Sequence, residues 1–533
     1  MTDNWSLDSI LTDIGQFGNY QIKNYMLLSI PMTFNAIFSL TYIFTAGSVK
    51  YRCNITECDS LTTQYHEPWI NFTIPADSQC SKYPSYDLNS CTSQNFDSEA
   101  SEKCSDFKIA DKEYTISQEF NIFCKDEWKL SFVGTINNIG QFIGIPIGGY
   151  ISDKYGRRIA LAFGGVFSAI MGIIRSFSVS YEMFLVFEFL DAATSSTLYA
   201  SVFILGIELV GPKKRVIACC FLTIFYAVGE ILLGIAAMYI TNWRVLLRVL
   251  YIPALIHIFY TCVLEESVRW LLSQQKNEEA ASTLEKAARM NKKPLNRNVI
   301  DKLIKSNDDK LNCNAEEKFP ITKALRKFSW RIINCSLCWF TNVLVYYGLS
   351  LNSVLLSGDK YINFILISAV EIPGFFLPVL IMDRYGRRYS LFACMLVSGI
   401  TIAVTIFLDE SRTILNLIFF LVGKFSITSS FQILYFYTAE IFPTNVRHTL
   451  LSFCSMFGRF GSMIAPMTPY LAKYFPSAPS ILFSSCAVIS GILSLTIPET
   501  TETILPSTID EAENLTNKSE DTYTANDERI EVA

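Results

Sequence analysis

Long apolar runs recur along this chain, separated mostly by short charged connections. A helix needs about twenty apolar residues to cross a bilayer, and runs of that kind fall at 25–46, 131–151, 159–178, 183–208, 217–240, 245–264, 331–355, 361–382, 389–408, 413–437, 449–472 and 478–497. The pattern predicts an all-α membrane protein with twelve transmembrane helices. Their grouping comes from an internal echo. GGYISDKYGRR, from Gly148 to Arg158, returns as MDRYGRR, from Met382 to Arg388, with Asp153 and Asp383 230 residues apart. ELVGPKKR and EIFPTNVR repeat a Glu and an Arg with six residues between them, Glu208 with Arg215 and Glu440 with Arg447, at an offset of 232. A weaker third pair, EESVRWLL at Glu265 to Leu272 and PET at Pro498 to Thr500, closes each half just past its last apolar run. So long a period marks duplicated halves and not a solenoid. Two pseudo-symmetric six-helix bundles are predicted, at 25–264 and 331–497, with an N-terminal segment 1–24, a linker 265–330 and a tail 498–533.

Composition agrees with a bilayer. Half of the 533 residues are hydrophobic and only 17% are charged, and the mean hydropathy is +0.29, beyond the range of ordinary soluble domains. A net charge of −5 offers no basic face for nucleic acid. His66, His257 and His448 are the only histidines, and none has another ligand type at metal spacing, so no metal and no cofactor is expected. No constellation of nucleophile and base suggests an enzyme.

Between the first two runs lies a polar loop, 47–128, with six cysteines: Cys53, Cys58, Cys80, Cys91, Cys104 and Cys124. An even count in such a loop reads as a disulfide framework in an oxidising space. The same loop carries glycosylation acceptors at Asn54 and Asn71, which places it outside the cell. The even-numbered connections then face the cytosol, and they hold Lys154, Arg157, Arg158, Lys213, Lys214, Arg215, Arg384, Arg387 and Arg388, as the positive-inside bias requires. Arg244 and Arg248 are the main exceptions. No cleavable signal peptide is expected in 1–24, and both termini are placed in the cytosol. EEAASTLEKAARMN, from Glu278 to Asn291, reads as a helix in the linker. The tail, with nine acidic and two basic residues after position 500, is predicted to be disordered and to offer itself to cytosolic partners.

Twelve spans with DKYGRR after the second and DRYGRR after the eighth resemble the major facilitator superfamily. The Cys-rich loop, the paired Glu and Arg motifs, ESVRWLL, ILTDIGQFGNYQ near the start and KFSITSSFQILYFYTAEIFPTNVR in span 10 resemble solute carrier family 22, the organic cation, anion and zwitterion transporters. The resemblance covers nearly the whole chain and implies alternating access around a central cavity. It also implies a gate in which Asp153, Arg157, Arg158, Asp383, Arg387 and Arg388, completed by Glu208, Arg215, Glu440 and Arg447, form ion pairs that break as the protein opens inward.

A charge in mid-membrane costs about 2.5–3.5 kcal/mol on the insertion scale, so each such residue is a candidate: Glu188 and Asp191 in span 4, Glu230 in span 5, Glu371 in span 8, Lys424 in span 10 and Arg459 in span 11. A structural ion pair is the competing reading for Lys424, Glu188 and Glu230. In the resemblance, Glu371 matches an acidic position of cation and carnitine-type members, and Arg459 an arginine of anion and carnitine-type members. Arg459 can clasp a carboxylate and Glu371 can balance an ammonium group. Trp339, Tyr346 and Tyr347 in span 7 supply faces that attract quaternary amines, and Asn35 and Gln432 are further polar candidates. Related transporters often carry an arginine and a glycine where this chain has Glu188 and Asp191, which unsettles any contact carried over in span 4. Cys335 and Cys338 read as helix-packing residues. Gly458, Gly461, Pro466 and Pro469 predict a bend in span 11 where Arg459 projects. The substrate expected is a small organic cation or zwitterion moved across the plasma membrane, with an organic anion exchanger and a transport-dead receptor as alternatives.

Overall fold

The computed structural model describes residues 7–59, 64–75, 80–87, 91–110, 112–211, 214–304, 325–409, 411–443 and 446–501. Twelve helical spans occupy the twelve expected places. Spans 1 to 6 are Asn19–Leu40, Trp128–Tyr155, Arg157–Arg175, Tyr181–Glu208, Arg215–Tyr239 and Trp243–Val263. Spans 7 to 12 are Ser329–Asn352, Lys360–Tyr385, Arg387–Ile406, Thr413–Ile441, Arg447–Ile464 and Ala478–Ser494. Nine helical stretches among the described residues are long and apolar enough to cross a membrane. Spans 2, 11 and 12 fall outside that set: glycine, amide and charged residues dilute spans 2 and 11, and span 12 is short.

Local chemistry sets the ends. Ser180, Asn242 and Asp359 cap spans 4, 6 and 8 by accepting from the first backbone N–H groups. Spans 2 and 3 join at Gly156 and spans 8 and 9 at Gly386, whose φ values of +106° and +85° only glycine adopts without strain. Proline re-shapes two spans. Span 6 passes from α-helix into a 3₁₀ stretch at Pro253–Phe259, and span 11 breaks at Ala465–Met467, where Pro466 cannot continue the ladder. The second break corrects the expected bend at Arg459, which lies in the helix before it. Gly140, Gly144 and Gly148 let span 2 approach span 4 so closely that a Cβ on any of them would overlap its backbone or side chains.

The chain is not helical throughout. The loop after span 1 pairs Tyr51–Cys53 with Phe107–Ile109 and Ser81–Lys82 with Glu102–Lys103, both antiparallel. Three disulfides tie it, Cys53–Cys104, Cys58–Cys91 and Cys80–Cys124. Asn54 and Asn71 sit in this small domain, the second exposed. The segment before span 1 is more structured than its polarity suggests: a helix at Leu7–Asp13 buries Leu7, Ile10 and Leu11. Asn291, at the end of the linker helix Asn277–Met290, accepts from Tyr20 N at 2.9 Å and donates to Ile14 O at 3.0 Å. Lys213, residues 305–324 of the linker and 502–533 of the tail, with the disorder expected there, lie outside the described residues, as does the side chain of His448.

The bundles meet at the end that carries the disulfide-tied domain. There Glu113 pairs with Lys360 at 2.5 Å and Glu127 with Lys473. Phe44 stacks on Tyr361, and Thr135 of span 2 donates to Met463 O of span 11 at 3.0 Å.

Candidate functional site

At the opposite end, where the linker joins, the repeated motifs form two equivalent clusters. Arg157 pairs with Asp153 at 2.9 Å and with Glu208 at 3.4 Å. Arg387 pairs with Asp383 at 3.3 Å and with Glu440 at 3.1 Å. Among the described residues no ion pair joins the two clusters: each arginine serves its own bundle. Arg215 does not pair with Glu208 but with Asp8 of the N-terminal helix, at 2.9 Å. Asp8 also takes Arg269. Arg447 donates to Phe442 O, at the end of span 10, at 3.2 Å.

The third echo has a role the motif alone did not show. Glu266 accepts from the backbone N–H of Arg157 at 3.0 Å and Arg158 at 3.1 Å. Glu499 accepts from Arg387 N and Arg388 N, both at 3.0 Å. Each carboxylate thus caps the positive N-terminus of the span that follows the motif. Burial raises the Glu266 carboxyl above the ordinary carboxylate range, against the N–H groups of Ser267, Arg158 and Arg157 that favour its charge. Trp270 donates to Asp153 O at 2.8 Å and fastens the same corner. Arg158 donates to Leu264 O at 3.4 Å.

Within the second bundle one buried pair is already matched. Lys424 Nζ lies 2.8 Å from Glu371 Oε1, with both side chains fully buried. The ammonium also donates to Tyr346 O at 3.0 Å and Ser350 Oγ at 2.7 Å, and sits 3.4 Å from the Tyr346 ring centroid. The Tyr346 hydroxyl donates to Glu371 Oε2 at 2.6 Å. Glu371, read as the balance for an ammonium group, and Tyr346, read as a ring face for one, are thus engaged with each other and with Lys424: span 10 brings the lysine that neither span 7 nor span 8 contains. Tyr347, one position on, faces away from that pair, partly exposed, with Tyr226 of span 5 beside it. Trp339 is buried, donating to Thr438 Oγ1 at 3.2 Å with its ring 5.5 Å from Phe431. Gln432 reaches Thr223 of span 5 at 3.5 Å. Phe203 of span 4 meets Tyr435 of span 10 at 5.9 Å, a ring contact across the bundles nearer the linker end.

Glu230 of span 5 is the unmatched acid. It is fully buried, and neither carboxylate oxygen accepts a hydrogen bond among the described residues. Its polar neighbours are Glu371, Lys424 and Ser368, so the three charges carry one acid more than base. Arg459 of span 11 is the counterpart on the other side, partly exposed and donating to Gln141 Oε1 at 3.1 Å. No ion pair holds it among the described residues. Asn35 is buried on span 1 and joins neither group.

A second buried cluster lies in the first bundle. Arg175, the last residue of span 3, forms ion pairs with Glu188 and, at 3.3 Å, Asp191. Sequence reading passed over Arg175 because it sits at a span end, where an arginine reads as an interface anchor. Cys335 and Cys338 are buried thiols in helix packing, as expected.

The family model for sugar (and other) transporters matches residues 60–508. Over 526 residues the chain is 30% identical to the "Organic cation transporter protein" of Drosophila melanogaster, covering 96% of this chain and 95% of the relative. It is also 30% identical to "Organic cation/carnitine transporter 2" of Mus musculus, covering 95% and 93%. The chain belongs to solute carrier family 22 of the major facilitator superfamily. The fold of this family member is similar to the inward-open xylose transporter XylE of E. coli, with a TM-score of 0.63 at 15% identity, covering 93% of this chain and all of the other.

Proposed function

We propose that this transporter moves small organic cations or zwitterions, of the amine or carnitine-like kind, across the plasma membrane by alternating access. The observation that carries the reading is the pair of unspent charges where the bundles face each other. Glu230 is buried without a hydrogen-bond donor, and Arg459 holds only an amide oxygen. A cationic head supplies what Glu230 lacks, with Tyr347 and its neighbours offering ring faces; a carboxylate supplies what Arg459 lacks. The named relatives, organic cation and carnitine transporters, agree with that chemistry. Glu371, paired to Lys424, shapes the site from behind.

The disulfides and the exposed Asn71 favour an extracellular loop, and hence cytosolic termini and linker. On that orientation the contacts at the loop end close the outer side, and the unjoined motif clusters leave the inner side free to separate. The test is uptake in cells expressing the chain, comparing a permanent cation, a carnitine-like zwitterion and an aromatic carboxylate. Zwitterion uptake that Arg459→Ala abolishes while cation flux survives is expected. Uptake of the carboxylate alone would replace this reading with an anion exchanger.

A further inference from the structure

The cluster in the first bundle has no part in the site above, yet its charges are as fully buried as Lys424 and Glu371. Arg175, Glu188, Asp191 and Tyr251 come from spans 3, 4 and 6, and all four are fully buried. One guanidinium faces two carboxylates. Glu188 is matched on both oxygens, by Arg175 on Oε2 and by the Asn137 amide at 2.7 Å on Oε1. Asp191 is not. Its Oδ2 accepts the Tyr251 hydroxyl at 2.6 Å, while its Oδ1 is buried with no hydrogen-bond partner. Tyr251 in turn receives Arg175 Nη2 at 2.9 Å.

With every group ionised the cluster holds one uncompensated negative charge, which a low-dielectric interior does not tolerate. A metal cation is a poor remedy, because the guanidinium 3.3 Å from Asp191 would repel it and Oδ1 is the single open oxygen. We propose that this cluster is a proton-binding site, distinct from the substrate cavity, in which Asp191 Oδ1 carries one exchangeable proton. The surrounding groups are Arg175 from span 3, Glu188 from span 4 with the Tyr42 hydroxyl near it, the Tyr251 hydroxyl from span 6, and toward the loop end Arg244, itself paired with Glu119, and Arg248, which bond Ser176 just past Arg175 at 2.7 and 3.2 Å. Phe184 and Tyr251 flank the guanidinium with their rings, 5.5 and 5.3 Å away.

The site is wired to the cavity. Arg459 donates to Gln141, Gln141 Nε2 donates to Asn137 Oδ1 at 2.8 Å, and Asn137 donates to Glu188. The donors run in one direction, so drawing Arg459 toward a substrate carboxylate weakens the last bond to Glu188 and alters the balance with Asp191. This link rests on the proposed transport function; the proton site itself does not.

The experiment is pH-difference infrared spectroscopy on the purified full chain, with aspartate or glutamate carrying a ¹³C label at the side-chain carboxyl. A protonated-carboxyl band that titrates and shifts with labelled aspartate is expected. It should vanish in Asp191→Asn and also in Glu188→Gln, since either change leaves one acid for one guanidinium. Absence of an aspartate-sensitive band in the wild type, or its survival in either variant, would overturn the proposal. Glu188→Gln, which keeps Asp191 in place, decides the matter should Asp191→Asn fail to fold. The link is read separately in proteoliposomes: carnitine uptake should depend on the pH gradient in wild type and lose that dependence in Asp191→Asn. Loss of all uptake, wild type included, would refute the substrate reading and leave the infrared result to decide the site.

Discussion

Removing the charge from Glu371 tests whether it is a structural partner or a substrate ligand. In Glu371→Gln the Lys424 ammonium keeps its bonds to Tyr346 O and Ser350 Oγ but loses its counter-ion 2.8 Å away. Lys424→Met leaves Glu371 beside Glu230 with only the Tyr346 hydroxyl to offset it. Breaking a buried pair from one side costs about 3–5 kcal/mol, whereas replacing both members with uncharged groups of similar volume is often neutral. Each single variant is therefore expected to lose about 3–5 kcal/mol, and the double variant Glu371→Gln with Lys424→Met clearly less than either. The assay is thermal unfolding of the purified protein followed by a thiol-reactive dye, since Cys335, Cys338, Cys394 and Cys454 are buried and become reactive only on unfolding. At about 2–4 °C per kcal/mol, each single variant should melt about 6–20 °C lower. If Glu371→Gln melts within a degree or so of wild type while its affinity for a permanent cation collapses, the pairing argument is wrong and Glu371 is a ligand.

Other outcomes follow from the same contacts. Glu266→Gln and Glu499→Gln each remove the charge from a cap on two backbone N–H groups, so both should cost about 1 kcal/mol, by the same melting assay, and to a similar extent in the two halves. Gly156→Ala forces a non-glycine residue into positive φ and crowds Glu266; a loss of about 1–3 kcal/mol is expected. In the disulfide-tied domain, Arg52 and Lys108, bonded to Asp59 at 2.6 and 2.9 Å, hold its carboxyl below the usual range against the cost of burial. A depressed carboxyl contributes stability above its unfolded value of 3.8 and loses it as pH falls through the lower folded value. Acid unfolding of this domain should therefore begin at higher pH in Arg52→Met than in wild type, as followed by fluorescence of Trp69, whose ring lies 4.9 Å from the Arg52 guanidinium.

Much of this protein was legible along the chain, and the reason is the bilayer. A membrane admits only segments that satisfy their own backbone hydrogen bonds, so helix number, length and order follow from hydropathy, and duplication shows as DKYGRR and DRYGRR at a fixed offset. The even set of loop cysteines foretold the disulfide framework for a similar reason, since oxidised thiols pair locally in a small domain. Tertiary structure alone decided which charges meet. Lys424 and Glu371 are 53 positions apart on different helices, Arg175 and Tyr251 are separated by 76, and Arg459 and Gln141 by 318. No sequence period records how far each helix is rotated about its axis, and one position of rotation separates Tyr346, bonded to the charged pair, from Tyr347, which faces the other bundle. All the membrane charges named here but Arg175 were visible from the start; their cancellation, which leaves Glu230, Asp191 and Arg459 unspent, is set by helix packing, because in a medium of low dielectric a contact of 3 Å determines whether a charge is matched or bare.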